Sequence, residues 1–529
     1  MSWRMRAVAI TAGLALTVTG CSGGAVRKAA SGPTRPFVYS YNLNVVTDWD
    51  PATSYSNEII AMQNIYESLT RYDAATKSVR PLLATRWTSA PDGRTWTFTL
   101  RDGVRFHDGN ALTSAVAKAS IERTIKLAGG AAYIWDAVKT IDTPDPRTLV
   151  FRLKYAAPLD LISASDYGAY IYDTTAPGGG GLKAYLDKGH DTGTGPYTVA
   201  SWNKGQETEL RLGQVKDYWG GWSGSHYTSV EFRDTPQVTT AWQQLRTGDV
   251  SFVGRLNPQL FAQAKGVRGL KTQATPSFQN LIAFFNTASG PLQDVTVRKA
   301  VQAAIDYDGM VAALKGSVTA ASGVVPNGLI GATPGLEAHQ NTAEAARLLN
   351  QAGYGPGKKQ LTLSLTYAQG DDDQQTFVTL LSSALKGLNV TLRAKPMQWD
   401  AQWSQGKSGD PGKRQDIFVM YWYPDYPDAF GWFKNLFHSA RPVSFNLTYL
   451  DDSGVDAAIE RLPRLVATDR PQAQAAYAAL QRTLLVDKAV AAPLYVQQYQ
   501  RAYAGGIGGY TDNPAYPNVV FVHDLRPTG

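Results

Sequence analysis

Along some stretches of the chain apolar and polar residues alternate; along others apolar residues recur at helical spacing. Residues 37–41 (FVYSY) are an apolar and aromatic run that predicts a strand. Residues 57–71 place Ile60, Asn64, Leu69 and their neighbours at helical spacing and predict a helix. Between residues 95 and 100, Thr alternates with Trp96, Phe98 and Leu100, a period of two that gives a strand one wet face and one packed face. Asp92-Gly93, Asp102-Gly103 and Asp108-Gly109 are turn dipeptides spaced to punctuate a meander. Thr143-Pro144-Asp145-Pro146 turns the chain again before a strand at 149–153, residues 176–181 (APGGGG) read as a loop, and Gly193-Thr194-Gly195-Pro196-Tyr197 is a tight turn into a strand.

The second half changes period. Asp294 is placed to cap a helix whose Val297, Ala300, Val301, Ala304 and Ile305 make an apolar stripe, with Arg298 one turn on for an ion pair to Asp294. A helix at 342–352 closes on Gly353. A strand at 361–367, a helix at 373–386 and a strand at 390–395 form a βαβ order that predicts an α/β lobe. Helices follow at 454–486 and a strand at 492–499. With 529 residues, the chain is too long for one typical core, and two or three lobes are expected. No internal repeat is visible.

The amino terminus has its own pattern. Met1 to Arg6 is short and positive, Ala7 to Val18 is an apolar run too short to cross a bilayer, and Thr19 and Gly20 precede Cys21, the only cysteine. Val18-Thr19-Gly20-Cys21 resembles a bacterial lipobox, whose cysteine is lipidated; the plainer alternative is an ordinary cleavage site beside a buried thiol. On the lipobox reading residues 1–20 are a signal peptide, Cys21 carries the anchor and residues 22–35, rich in Gly, Ser and Ala, are a flexible tether. The remainder is then expected outside the cytoplasm, held on the membrane by its lipid.

Charge and motifs narrow the classes. The formal charge is +7, or +5 without Arg4 and Arg6, and no Lys/Arg-rich run or basic stripe occurs, which argues against nucleic acid. Gly406-Lys407-Ser408 resembles the end of a phosphate-binding loop, but Ala401 stands where its first glycine belongs. Residues 404–407 fit S-x-x-K without companion motifs, and 20–24 fit G-x-S-x-G only inside the lipobox. The six histidines are scattered, so no metal cluster is expected. His107 beside Asp108 has the composition of a base and its orienter, but it lies in a turn-rich sheet and reads as structural. Nothing points to an enzyme, and no cofactor is implied.

Five blocks carry a resemblance. Ile65-Tyr66-Glu67-Ser68-Leu69 is followed by Pro81-Leu82-Leu83-Ala84-Thr85-Arg86-Trp87; then come Asp92-Gly93 with Leu100 to Gly109, Gly193 to Tyr197, Phe285-Asn286 with Asp294, Val297 to Ala300 and Ile305-Asp306, and finally Tyr423 to Asp428. Together they resemble the extracytoplasmic solute-binding proteins of ABC importers, of the oligopeptide/dipeptide/nickel type (family 5). The resemblance implies an α/β, type II periplasmic-binding-protein-like fold: two lobes with a hinge and an additional β-rich subdomain. It places lobe I at 36–75, 196–281 and 492–529, the inserted subdomain at 76–195 and lobe II at 282–491. It further implies a monomer that closes on a small solute, by default a peptide, and delivers it to ABC permease subunits.

In peptide-binding relatives an acidic residue at the place of Asp425 pairs with the ligand's ammonium; Asp425 is therefore a candidate, with a loop cap as the alternative. The run differs from the dipeptide type in having Pro424 before the acid and Tyr426-Pro427 after it. Trp422, Tyr423, Trp399 and Trp403 are candidates to line the cleft, since aromatics offer area and a polar edge. Asn286 is a candidate for recognising peptide amides or, alternatively, a strand-end cap.

Overall fold

The computed structural model describes residues 36–528 apart from 42–47, 56, 176, 178–179, 204–205, 207 and 236; Cys21, the tether and part of the 176–181 loop lie outside the described residues. Among the described residues, eleven strands make one sheet. Its order is Val390–Met397, Leu361–Ala368, Ile417–Trp422, Leu270–Phe285, Ala491–Ala504, Phe252–Val253, Phe37–Tyr41, Ser229–Asp234, Thr208–Gln214 and Tyr197–Trp202, with Val318–Ala320 paired separately to Ala491–Ala504.

Two strands in the middle are unusually long, Leu270–Phe285 and Ala491–Ala504, of 16 and 14 residues. They run antiparallel from Leu270↔Ala504 to Phe284↔Ala491, with irregular pairing between Pro276 and Asn280. Their halves serve different neighbours: Tyr503 and Ala502 pair with Phe252–Val253, whereas Asn280 to Phe285 pair with Ile417–Trp422. The long strands thus hold two lobes in one hydrogen-bonded ladder, and the irregular pairing marks where the ladder bends most easily.

The inserted subdomain is an antiparallel sheet ordered Ala84–Ser89, Thr95–Leu100, Thr148–Leu153, Val138–Asp145, with the helix Ser114–Leu127 packed on it. Trp96, Phe98 and Leu100 point into its core, as the period-two pattern requires.

Some expectations shift by a few residues and others fail. The helix expected over 57–71 is confined to Ile59–Ile65; Tyr66 is extended, and Glu67 bridges Ile171, so pairing with the subdomain overrides helical spacing. The helical stretch at 454–486 breaks at Asp469, which caps Arg470–Arg482 after Ser453–Thr468 ends. Asp294 caps Val295–Ala304 through the N–H of Thr296 at 2.7 Å, but the expected ion pair to Arg298 does not form. The buried Arg298 guanidinium donates instead to the carbonyls of Lys488, Leu292 and Gln293 at 2.7–2.9 Å, where chain ends offer unused acceptors.

The Gly-rich blocks interlock. The N–H of His107 donates to the carbonyl of Gly193 at 2.8 Å. Its ring Nδ1 meets Asp191, and Nε2 meets the carbonyl of Gly195 at 2.9 Å. Both partners only accept, so both ring nitrogens donate and the imidazole is charged. Burial pushes His107 down, but the Asp191 carboxylate more than offsets it and holds the ring above its ordinary value. Burial pushes Asp191 up, and His107 reverses this and holds it low. Glu67, also buried, accepts from Thr194 at 2.8 Å, Tyr218 at 2.8 Å and Trp219 at 2.7 Å. His107 is therefore a stitch between blocks, with no nitrogen left for catalysis.

Two predictions follow from this stitch. Because His107 titrates above the unfolded imidazole value of about 6.5, its stabilisation is complete below that pH and is lost as the pH rises through the folded value. His107→Gln should cost about 3–5 kcal/mol in urea unfolding near pH 6, the usual penalty for breaking a buried pair. It should also remove the loss of stability the wild type shows on going from about pH 6 to about pH 9; equal pH slopes in the two proteins would refute the charged stitch. Separately, a Cβ at residue 195 would lie 2.7 Å from the carbonyl oxygens of Asn64 and Ile65. Gly195→Ala should therefore destabilise by about 1–3 kcal/mol through overpacking, measured the same way.

Candidate functional site between the lobes

The strand Ile417–Trp422 is apolar and almost wholly buried, and Pro424 and Pro427 stop it from continuing. The chain then turns through Tyr423 to Asp428 against the inserted subdomain and the segment 48–55. Asp425 is only 2 % exposed. Its carboxylate accepts from the Tyr55 hydroxyl at 2.6 Å and from the Tyr133 hydroxyl, which in turn accepts from the Asn435 amide at 3.3 Å. Its carbonyl accepts from the N–H of Asp166 at 3.2 Å and from the Ser165 hydroxyl. Burial raises the Asp425 carboxyl above the ordinary range, and the bonds from Tyr133 and Tyr55 work against that rise.

Asp166 is 1 % exposed, and neither of its carboxylate oxygens has a partner among the described residues. Its carbonyl is pinned by Gln63 and by Tyr170, each at 2.9 Å. Burial first, and then the charge of Asp425, push its carboxyl well above the ordinary value. Tyrosines close around the two acids. Tyr167 meets Tyr55 edge-on at 5.0 Å and hydrogen-bonds Tyr423, while the buried hydroxyl of Tyr499 has no partner among the described residues.

Neither acid has an ion-pair partner in the described residues. The nearby Arg501 is committed to Asp512 at 3.0 Å and to Asn518 at 2.8 Å, and Arg470 to Asp160 at 3.1 Å. Two buried carboxylates without a cation are expensive in a folded protein. The arrangement suits a positive group arriving from outside.

Of the residues singled out from sequence, Asp425 and Tyr423 lie in this cluster. Trp422 is buried with its ring 5.1 Å from Phe445, and its indole N–H has no partner among the described residues. Trp403 is 4.8 Å from the same Phe445 and stacks on Trp399 at 5.6 Å; Trp399 is 46 % exposed. Phe445 thus gathers the three tryptophans into an aromatic group of their own. Asn286 is not brought to Asp425. Phe285 pairs with Ile417 whereas Trp422 pairs with Asn280, so Asn286 lies past the far end of the strand pair, about 20 Å along it from Trp422. Its amide is fully used, donating to Ser289 and the Gln415 carbonyl and accepting from Ala288 and Ser289.

Sequence reading missed Tyr55, Tyr133 and Asp166. One signal was available for Asp166: no basic residue occurs between Lys154 and Lys183, although Asp160, Asp166 and Asp173 do. Among the described residues, no group of three or more His, Cys, Asp or Glu stands close enough to hold a metal ion, and no helix is long and apolar enough to cross a membrane.

Comparison with known proteins agrees with this architecture. The probable D,D-dipeptide-binding periplasmic protein DdpA of Escherichia coli is 25 % identical over 488 residues, covering 90 % of this chain and 91 % of DdpA. NikA from Brucella suis, solved with Fe(III)-EDTA, superposes with a TM-score of 0.81 at 20 % identity, covering 93 % of this chain and all of NikA. DppA from Helicobacter pylori, solved with the peptide STSA, gives 0.76 at 20 % identity, covering 94 % and 98 % of the two chains. These superpositions establish a type II periplasmic-binding-protein fold of two lobes. Residues 78–443 match the model of the bacterial extracellular solute-binding proteins, family 5 (middle region), a family of binding proteins rather than enzymes. By that match, which spans well over half its length, the chain belongs to the bacterial extracellular solute-binding proteins, family 5.

Proposed function

We propose that this protein is the lipid-anchored, extracytoplasmic receptor of an ABC importer and that it captures a peptide-like solute through a free amino group. The observation that carries the reading is the buried carboxylate of Asp425, served by tyrosine hydroxyls and by no cation. An ammonium ion replaces neutral donors with charge-assisted bonds, which are shorter and stronger. The peptide named with DppA and the dipeptide named for DdpA fit that chemistry. An anionic chelate such as the one bound to NikA suits Asp425 less well, because the ionisable groups around that carboxylate are Asp166 and tyrosines.

Tyr55, Tyr133 and Asp425 come from three separate chain segments. A ligand in their midst stabilises the closed arrangement by its differential affinity for it, and the long strand pair is the hinge. In this reading lobe I is 36–75, 196–281 and 492–529, lobe II is 282–491 and the inserted subdomain is 76–195. Trp422, Tyr423 and Trp403 offer aromatic surface to the rest of the solute. Cys21 carries the lipid, and the protein works as a monomer beside its permease.

Native mass spectrometry of the purified chain should show a retained mass in the range of short peptides. Asp425→Asn should weaken an amine-bearing ligand by roughly 10–100-fold in calorimetry, the worth of one hydrogen bond to a charged group. Unchanged affinity would remove Asp425 from the site. Cys21→Ser should move the protein from the membrane fraction to the soluble fraction of producing cells, and retention on the membrane would refute the anchor.

A further inference from the structure

The Asp425 site contains one acid more than recognition of a single ammonium requires, and that acid is the least satisfied group in it. The N–H of Asp166 is fixed to the Asp425 carbonyl at 3.2 Å, and its own carbonyl to Gln63 and Tyr170, so its backbone cannot drift from the Asp425 loop. Its carboxylate is nevertheless buried with no side-chain partner among the described residues, and only the backbone N–H groups of Asp166 and Tyr167 favour its charge. A side chain positioned so firmly and satisfied so poorly is an incomplete site, since buried polar groups in native proteins are ordinarily bonded. We infer that Asp166 is a second acidic contact for the solute, which together with Asp425 makes a two-carboxylate receptor for a positively charged nitrogen. This inference rests on the proposed ammonium reading of Asp425 and extends it. The preferred solute is cationic at the end that enters the tyrosine cluster, and N-blocked or anionic solutes are excluded.

A consequence concerns protons. The ionisable group that acts on Asp166 is Asp425, and Asp166 in turn raises the tyrosines Tyr167, Tyr170, Tyr423, Tyr499 and Tyr516; no lysine, arginine or histidine pairs with it among the described residues. A buried carboxyl beside another acid keeps its proton while the site is empty. An arriving ammonium favours the carboxylate, and the proton passes to solvent. Binding of an amine is therefore coupled to release of a proton, and affinity rises as pH rises toward the empty-state value of Asp166.

The test uses alanyl-alanine in its L,L and D,D forms and the N-acetylated counterpart of each, titrated calorimetrically into the full chain at about pH 6.5 in two buffers of different ionisation enthalpy. The expected result is binding of at least one free dipeptide, no binding of its acetylated form, and release of a proton by the wild type. Asp166→Asn, which keeps the shape of the side chain, should bind about tenfold more weakly and release no proton. Wild-type affinity and wild-type proton release in Asp166→Asn would overturn the inference while leaving the ammonium reading intact, provided Asp425→Asn still loses binding. Should Asp166→Asn fail to fold, Asp166→Ser takes its place with the same expected loss of affinity, and wild-type affinity in it overturns the inference. Failure of every free dipeptide to bind the wild type would overturn both the inference and the reading it rests on.

Discussion

The pairing of Leu270–Phe285 with Ala491–Ala504 is the constraint on which the rest of the structure depends. The two strands pair with Phe252–Val253 at one end and with Ile417–Trp422 at the other, so neither half of the sheet can be displaced without bending a shared ladder. The pairing is regular from Leu270 to Pro276, slips between Pro276 and Asn280, and shifts once more between Leu281 and Ile282. A ladder that is firm at both ends and irregular over this middle stretch bends there, which suits opening and closing of the lobes. The strand Ile417–Trp422 is hydrogen-bonded to the second of these halves, and the Asp425 loop emerges from it beside the hinge. The acid thus lies where a small rotation brings partners from other segments to it or takes them away.

The tyrosines explain how such an acid is tolerated. Tyr55 and Tyr133 give Asp425 two neutral donors, which reduce the cost of its burial without matching what a cation would supply. A lysine or arginine in their place would satisfy the carboxylate permanently and compete with any ligand. Asp166 is tolerated differently: burial and the neighbouring Asp425 favour its neutral form. Both devices leave the empty closed form less stable than it could be. A receptor needs that deficit, because a ligand shifts the equilibrium between open and closed forms only by what it adds to one of them.

Local pattern was legible in the sequence wherever local pattern decides structure. Thr95 to Leu100 alternate and form a strand with alternating burial; Asp294 precedes an apolar stripe and caps a helix. Legibility ended where distant segments meet. Residues 66–71 carry helical spacing, yet Glu67 bridges Ile171, and no local rule contains that bond. Arg298 lies one turn from Asp294 but turns to the carbonyl of Lys488, 190 residues away. In the site, Asp425 was reachable because it follows an apolar strand in a distinctive loop. Tyr133 and Asp166 were not: their partner lies 292 and 259 residues on, and Tyr133 sits in a single 3-10 turn and Asp166 in a bend with no local pattern to mark either. Asn286 shows the converse, since adjacency to an apolar run is equally a property of the wrong end of a strand.

The inserted subdomain changes how closure should be pictured. It supplies Tyr133 and Asp166 to the acidic site, and it also rests directly on the helices of the second lobe. Asp160 reaches Arg470 at 3.1 Å, and the backbone at Gly93 approaches Ala467 and Thr468 so closely that a Cβ there would fall 3.2 Å from each. Gly93 has a φ of +66°, so a side chain would be disfavoured by the backbone as well as by space. On the proposed reading a ligand would meet three bodies rather than two, because the subdomain and the 453–482 helices touch each other through Asp160–Arg470 while Asp166 and Asp425 face the proposed site. The Asp160–Arg470 pair joins a half-exposed Arg470 to a buried Asp160, so it ties the two bodies together whether or not a solute is present. On the proposed reading, what a solute adds to closure comes through the acids, and its charge, more than its bulk, decides whether the protein closes.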